Sequence, residues 1–213
     1  MARKETVEAV KKALDGRPKR NFSESVDLAI NLKNIDMSQP KNRVDEDVIL
    51  PSGLGKSIKV AVFAKGEVAV NAEKAGADYV FAPEEIDKLG SDKPRAKKLA
   101  GEVNFFIAET AYMPTIGKRL GQVLGPRGKM PAPLPPQADV TTLITRQKKS
   151  IKMRSKDRLT FHATIGTESM TPEEIAENID TIIKRLETKL EKGRHNIGSI
   201  YVKTTMGHAV KVM

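Results

Sequence analysis

The apolar residues of this chain change period twice along its length, and that change constrains the fold more than any other feature. From Phe22 to Lys33 they alternate. Val26, Leu28, Ile30 and Leu32 face one way, and Ser25, Asp27, Ala29 and Asn31 the other, as in a strand buried on one face. After Ser150 the period returns: Ile151 and Met153 against Lys152 and Arg154, then Leu159, Phe161, Ala163 and Ile165 against Thr160, His162 and Thr164. Between these stretches lie short apolar runs separated by helical patterns. Ile58–Ala64, Asp78–Phe81 and Asn104–Ala108 read as buried strands. Glu67–Ala75 reads as a helix closed by Gly76, Pro83–Ile86 as a helix start with proline in its first turn, and the stretch holding Ile116, Leu120 and Val123 as another helix. This β-α-β-α rhythm implies a parallel, doubly wound sheet, closed by a helix around residues 140–149.

The expected fold class is therefore α/β, with one domain inserted into another. A discontinuous α+β terminal domain, an antiparallel sheet with helices, takes residues 1–54 and 150–213. A Rossmann-like parallel α/β domain takes residues 55–149. Ser52-Gly53-Leu54-Gly55-Lys56 is the first crossing, and its two glycines would permit hinge motion. The second crossing lies near Lys149-Ser150. The terminal domain opens with a short amphipathic helix carrying Val7, Val10, Ala13 and Leu14, ended by Gly16 and Pro18, and includes a short strand, Val48-Ile49-Leu50. A long helix starts at the N-cap Thr171, followed by Pro172, Glu173 and Glu174, and its stripe is Ile175, Ile179, Ile182, Ile183 and Leu186. The last strand runs from Ser199 to Thr205.

Charge sets the class of partner. The net charge of +10 and pI near 9.7 point to an anionic one. Residues 146–158 hold Arg146, Lys148, Lys149, Lys152, Arg154, Lys156 and Arg158 against a single acid, Asp157. A merely solvated face would mix signs, so phosphate binding is the better reading of this cluster, with nuclear-style targeting or simple solubility as the plainer alternative. Zero cysteines exclude a disulfide framework and a thiolate metal site or nucleophile. No apolar stretch reaches membrane-span length, and Met1-Ala2-Arg3-Lys4-Glu5 leads into a charged helix rather than a signal peptide. The expected location is the cytoplasm, with no membrane partner.

The signals of catalysis fail one by one. Gly53-Leu54-Gly55-Lys56-Ser57 ends like a P-loop, but that motif needs a glycine where the chain has Leu50, and Lys56 opens a strand rather than a helix. The turn Lys65-Gly66-Glu67 puts an acid where a pyrophosphate would approach. His162, His195 and His208 have no paired ligand spacing. Glu84-Glu85 and Glu173-Glu174 are explained by helix starts. No enzyme, cofactor or metal site is expected.

If the alternating strands share one sheet, their polar faces present Ser25, Asp27, Asn31, Lys152, Arg154, Thr160, His162, Thr164, Lys203 and Thr205 together. Hydroxyls there could read ribose 2′-hydroxyls while cations hold phosphates; an ordinary solvated antiparallel face is the plainer alternative. In the tail, Met206 offers an adaptable apolar contact, and Gly207 has no side chain to hold a sugar-phosphate backbone away. A last feature is the run Leu124-Gly125-Pro126-Arg127-Gly128-Lys129-Met130-Pro131, extended by Ala132-Pro133-Leu134-Pro135-Pro136. Proline and glycine make it neither helix nor strand, and Arg127 and Lys129 are expected to stand on a stiff exposed loop.

The segment Gly121–Pro131 resembles the hallmark of the ribosomal protein L-one family, its archaeal branch above all, and the similarity extends over nearly the whole chain. The resemblance implies a structural protein of the large ribosomal subunit that binds large-subunit rRNA at the stalk beside the tRNA exit site. It further implies roles in exit-site tRNA release and in translational repression through the protein's own mRNA, and a monomer off the ribosome. The family's Thr-Met-Gly element and aromatic carry over onto Thr205, Met206, Gly207 and Phe22 as RNA contacts; Asn21 stands where members often have a lysine. Rival readings are a phosphometabolite-binding enzyme using the parallel domain and a double-stranded DNA-binding repressor. The missing acid or histidine constellation opposes the first, and the missing recognition helix the second.

Overall fold

A computed structural model of the chain describes residues 3–16, 20–135 and 139–213. Met1-Ala2, Pro18 and Pro136, invoked above, lie outside them. The chain forms two compact units. One comprises residues 1–56 and 149–213, the other residues 57–148.

In the first unit, β1 (Ser25–Leu32), β8 (Thr160–Thr167), β9 (Ile197–Thr204) and β10 (Val210–Lys211) form an antiparallel sheet in the order β10-β9-β1-β8. Every second residue of β1 is buried, from Val26 to Leu32. The apolar side of this sheet packs on α1 (Lys4–Asp15) and α7 (Pro172–Lys189), whose stripe of Ile175, Ile179, Ile182, Ile183 and Leu186 is buried throughout. Thr171 caps α7 through a reciprocal bond pair: Glu174 N–H donates to Thr171 Oγ1, and Thr171 N–H donates to the Glu174 carboxylate.

Two further strands, β2 (Asp45–Ile49) and β7 (Ser150–Arg154), do not join that sheet. Among the described residues they pair only with each other, in a separate two-stranded ribbon, while Val48, Leu50, Ile151 and Met153 reach the same core. The expectation of one shared sheet is therefore corrected. Lys152 and Arg154 belong to the ribbon and not to the face made by β1, β8 and β9.

In the second unit, β3 (Val60–Phe63), β4 (Tyr79–Phe81), β5 (Phe105–Glu109) and β6 (Ala132–Leu134) form an all-parallel sheet in the order β4-β3-β5-β6. All four residues of β3 are buried, the continuous apolar texture of a strand covered on both faces. On one face Phe63, Phe81 and Phe106 stack, with ring centroids 5.3 and 6.1 Å apart, beneath α3 (Pro83–Ser91), α4 (Lys93–Glu102) and α5 (Met113–Leu124). The helices α2 (Glu67–Lys74) and α6 (Val140–Lys148) complete the unit.

The hallmark run departs from the expectation of neither helix nor strand. Its first residue, Leu124, ends α5, and its extension forms β6. Pro133 is tolerated because β6 is the edge strand, where a missing N–H breaks no ladder bond on the open side.

Gly53 and Gly55 have φ of +68° and +67°, the left-handed region that glycine tolerates best. The buried Asn178 on α7 donates through Nδ2 to Gly53 O and Ile165 O, both at 2.9 Å, and accepts from Ser52 N–H at 3.3 Å. The turn is thereby fastened to α7 and β8.

Candidate nucleic-acid interface

The polar side of the β10-β9-β1-β8 sheet is organised in cross-strand rows. Register places Thr160, Asn31 and Ser199 in one row, His162, Ala29 and Tyr201 in the next, and Thr164, Asp27 and Lys203 in the third. Side-chain bonds order two of them. Thr160 Oγ1 donates to Asn31 Oδ1 at 2.8 Å, and Asn31 Nδ2 donates to Ser199 Oγ at 2.8 Å. Thr164 Oγ1 donates to Asp27 Oδ1 at 2.7 Å. Because the Thr164 proton is committed to a carboxylate, that hydroxyl can meet a further partner only as an acceptor, the role a ribose 2′-hydroxyl donor needs. Ala29 is the smallest side chain of the middle row and separates the exposed His162 from Tyr201.

One end of this sheet carries a preformed tip. After β9 the chain turns at Thr204–Gly207, with Gly207 N–H donating to Thr204 O at 3.2 Å. Thr205 clasps the start of β1: its N–H donates to Ser25 O at 3.0 Å, and its Oγ1 accepts from Ser25 N–H at 3.2 Å. Met206 N–H donates to the carboxylate of Glu24 at 3.0 Å, and Glu24 is only 1% exposed. The turn thus holds up Met206, which is 56% exposed, while Phe22, two residues before Glu24, is 52% exposed. Large apolar side chains kept in water beside polar groups are what a surface that stacks on bases or packs on riboses requires. Gly207 has a further reason to be glycine: an added Cβ would overlap Oγ1 of the fully buried Thr204.

Of the residues anticipated from sequence, Ser25, Asp27, Asn31, His162, Thr164 and Lys203 share the sheet face, and Phe22, Thr205, Met206 and Gly207 lie at its tip end. Lys152 and Arg154 are elsewhere and are not free cations. Asp45 on β2 pairs with Lys152 at 3.7 Å and with Arg154 at 3.3 Å, because antiparallel register sets Asp45 opposite Arg154 and Asp47 opposite Lys152. The excess read in residues 146–158 is partly offset by acids more than a hundred positions earlier in the chain.

Arg127 and Lys129 do not stand on a free loop either. Arg127 Nη1 donates to Lys97 O at 3.3 Å, and Lys129 Nζ donates to Ala100 O at 2.9 Å and Val103 O at 2.6 Å. Lys129 thus sits on the carbonyl end of α4, where the helix dipole favours positive charge, while Arg127 reaches a carbonyl in the middle of the same helix. Burial, and then the neighbouring Arg127 charge, hold the Lys129 ammonium below the usual lysine range. Gly128, with φ of +67°, turns the chain so that Lys129 N–H can also close the last turn of α5 on Leu124 O at 3.0 Å.

Sequence reasoning passed over Ser199, Tyr201 and Glu24. The first two were recoverable, since they continue the alternation that ends in Lys203 and Thr205. Glu24 carried no signal, because an acid just before a strand looks like any surface acid. Among the described residues no group of His, Asp and Glu is placed to hold a metal ion, and no helix is long and apolar enough to cross a membrane.

The sequence pattern of the Ribosomal protein L1p/L10e family matches residues 10–208. The chain belongs to this family. It is 92% identical to large ribosomal subunit protein uL1 of Methanocella arvoryzae, with all of both chains aligned. Proteins of the same name from Methanosarcina barkeri and Haloferax volcanii are 60% and 54% identical, over all of both chains and over 97% of each respectively. The family is one of structural ribosomal proteins, and the chain is not an enzyme.

Proposed function

We propose that this protein is a structural component of the large ribosomal subunit that binds large-subunit rRNA through its first unit, acting in the cytoplasm as a monomer when off the ribosome. The observation that carries this reading is the tip. A turn tied to Ser25 and Glu24 presents exposed Met206 at the end of a sheet face rich in hydroxyls, with exposed Phe22 at the same end. Such a surface combines base or ribose packing with 2′-hydroxyl readout and suits structured RNA better than an apolar partner. The names of the archaeal relatives support the same assignment. In its finer form the proposal places the protein at the stalk beside the tRNA exit site, assisting release of exit-site tRNA, and has it repress translation by binding its own mRNA at a structure like the rRNA site.

The test uses the full chain and the segment of large-subunit rRNA that it protects from nuclease. Thr205→Val removes the hydroxyl that ties the tip to β1, and is expected to cost about 1–3 kcal/mol of binding while circular dichroism stays unchanged. Unaltered affinity in both Thr205→Val and Met206→Ala would remove the tip from the interface.

A further inference from the structure

The motif Gly53-Leu54-Gly55-Lys56-Ser57, which lacks the first glycine of a nucleotide loop, spans the first crossing. Its geometry is nonetheless specific. Asn178 fastens Ser52 and Gly53 to α7 and β8 from a fully buried position. Gly55 lies so close to β8 and the turn after it that an added Cβ would come within 2.5 Å of Thr167 Oγ1 and 2.9 Å of Met170 Sδ. Its φ of +67° is a second bar to any larger residue. The result of both constraints is the position of the next residue. Lys56 Nζ donates to Ser25 Oγ, and Ser25 is the residue whose backbone Thr205 clasps. The ammonium therefore stands at the tip end of the sheet.

Its state there differs from that of four other cations named above. Lys152 and Arg154 face Asp45, and Arg127 and Lys129 are engaged with α4. Lys56 is exposed, and among the described residues it has no carboxylate within ion-pair distance. Its partner is a neutral hydroxyl. An ammonium makes three hydrogen bonds, so the Ser25 contact orients the group and leaves donors for an anion.

We propose that the fastened turn Ser52–Lys56 is a phosphate-contacting arm of the RNA interface, with Lys56 Nζ meeting a backbone phosphate beside the Thr205–Gly207 tip. This deepens, and rests on, the reading of that tip as an RNA site. Gly55 and Asn178 are positioning residues, and Ser25 orients the lysine.

The test measures binding of the full chain to its nuclease-protected rRNA segment between 0.1 and 1 M salt. Loss of one phosphate contact lowers the salt slope by about 0.9. Lys56→Gln is therefore expected to bind about 8-fold more weakly than wild type at 0.1 M salt and about equally at 1 M. Lys56→Arg is expected to restore the slope, and thermal unfolding of both variants to match wild type. If Thr205→Val weakens binding while Lys56→Gln leaves affinity and slope unchanged, the arm is refuted and the tip survives. If Lys56→Gln lowers the affinity equally at every salt concentration, the lysine acts by some route other than a phosphate, and the proposal fails. If the wild-type chain protects no rRNA segment, the reading of the tip falls and the arm with it.

Discussion

Replacing Lys129 by Met tests whether the hallmark loop is held by its cation. Methionine keeps the aliphatic stem and its packing, so the change isolates the ammonium. That group donates to Ala100 O at 2.9 Å and Val103 O at 2.6 Å. Ala100 O has lost its ordinary helical donor, because Asn104 N–H donates to Lys59 O instead. Both residues are buried, so the freed carbonyls are poorly placed to find water. A hydrogen bond to a charged group contributes about 1.5–3 kcal/mol, and a cation at a helix C-terminus about 0.3–1 kcal/mol. Against this stands the cost of half-burying the ammonium, which shows as its lowered pKa. A net loss of about 2–3 kcal/mol is expected. For a unit the size of residues 57–148 this lowers the melting temperature by about 10–20 °C. Calorimetry measures the loss, and hydrogen exchange localises it: amides of α4 and of residues 125–131 should lose protection first. A Lys129→Met protein that melts with wild type and keeps α4 protection would show that the loop is an inert connector, and the capping argument would be wrong.

Asp45→Asn should release Lys152 and Arg154, raising affinity for any RNA and steepening the salt dependence, as filter binding across salt concentrations would reveal; no change would mean that the ribbon lies outside the interface. Gly207→Ala forces a Cβ against the buried Thr204 hydroxyl and should destabilise the protein by about 1–3 kcal/mol even without RNA, measurable by denaturant titration. Acid should weaken both units. Asp139 accepts from Thr142 Oγ1, Thr141 N–H and Thr142 N–H, and Glu174 accepts from the Thr171 N–H and hydroxyl, so both carboxyls are held below their ordinary range. A depressed folded pKa gives stability that is full above the unfolded value and is lost as pH falls through the folded one. The loss therefore falls below about pH 4, and Asp139→Asn and Glu174→Gln should each flatten that limb of the stability curve.

The α/β class and the elements that express it were legible because the responsible signals are local. Period-two alternation from Val26 to Leu32 marks a strand with one buried face, and the apolar run Val60–Phe63 a strand covered on both. Thr171-Pro172-Glu173-Glu174 announces a helix start by chemistry that acts within one turn. Pairing is not local. Nothing near Lys152 and Arg154 tells that β7 joins β2 rather than β1, or that Asp45 will meet them, because register is decided by which strands the core brings together. Pro133 looks like a strand breaker until the sheet order makes β6 an edge. The charges of Arg127 and Lys129 were plain in the chain, but their use was not, since the carbonyls they hold lie on another helix. The same limit hid Glu24 and Lys56, whose partners are Met206 and Ser25. Residue types and their spacing settle how each segment buries its apolar side; which charges remain free to meet a partner depends on long-range contacts, and only the tertiary structure decides those.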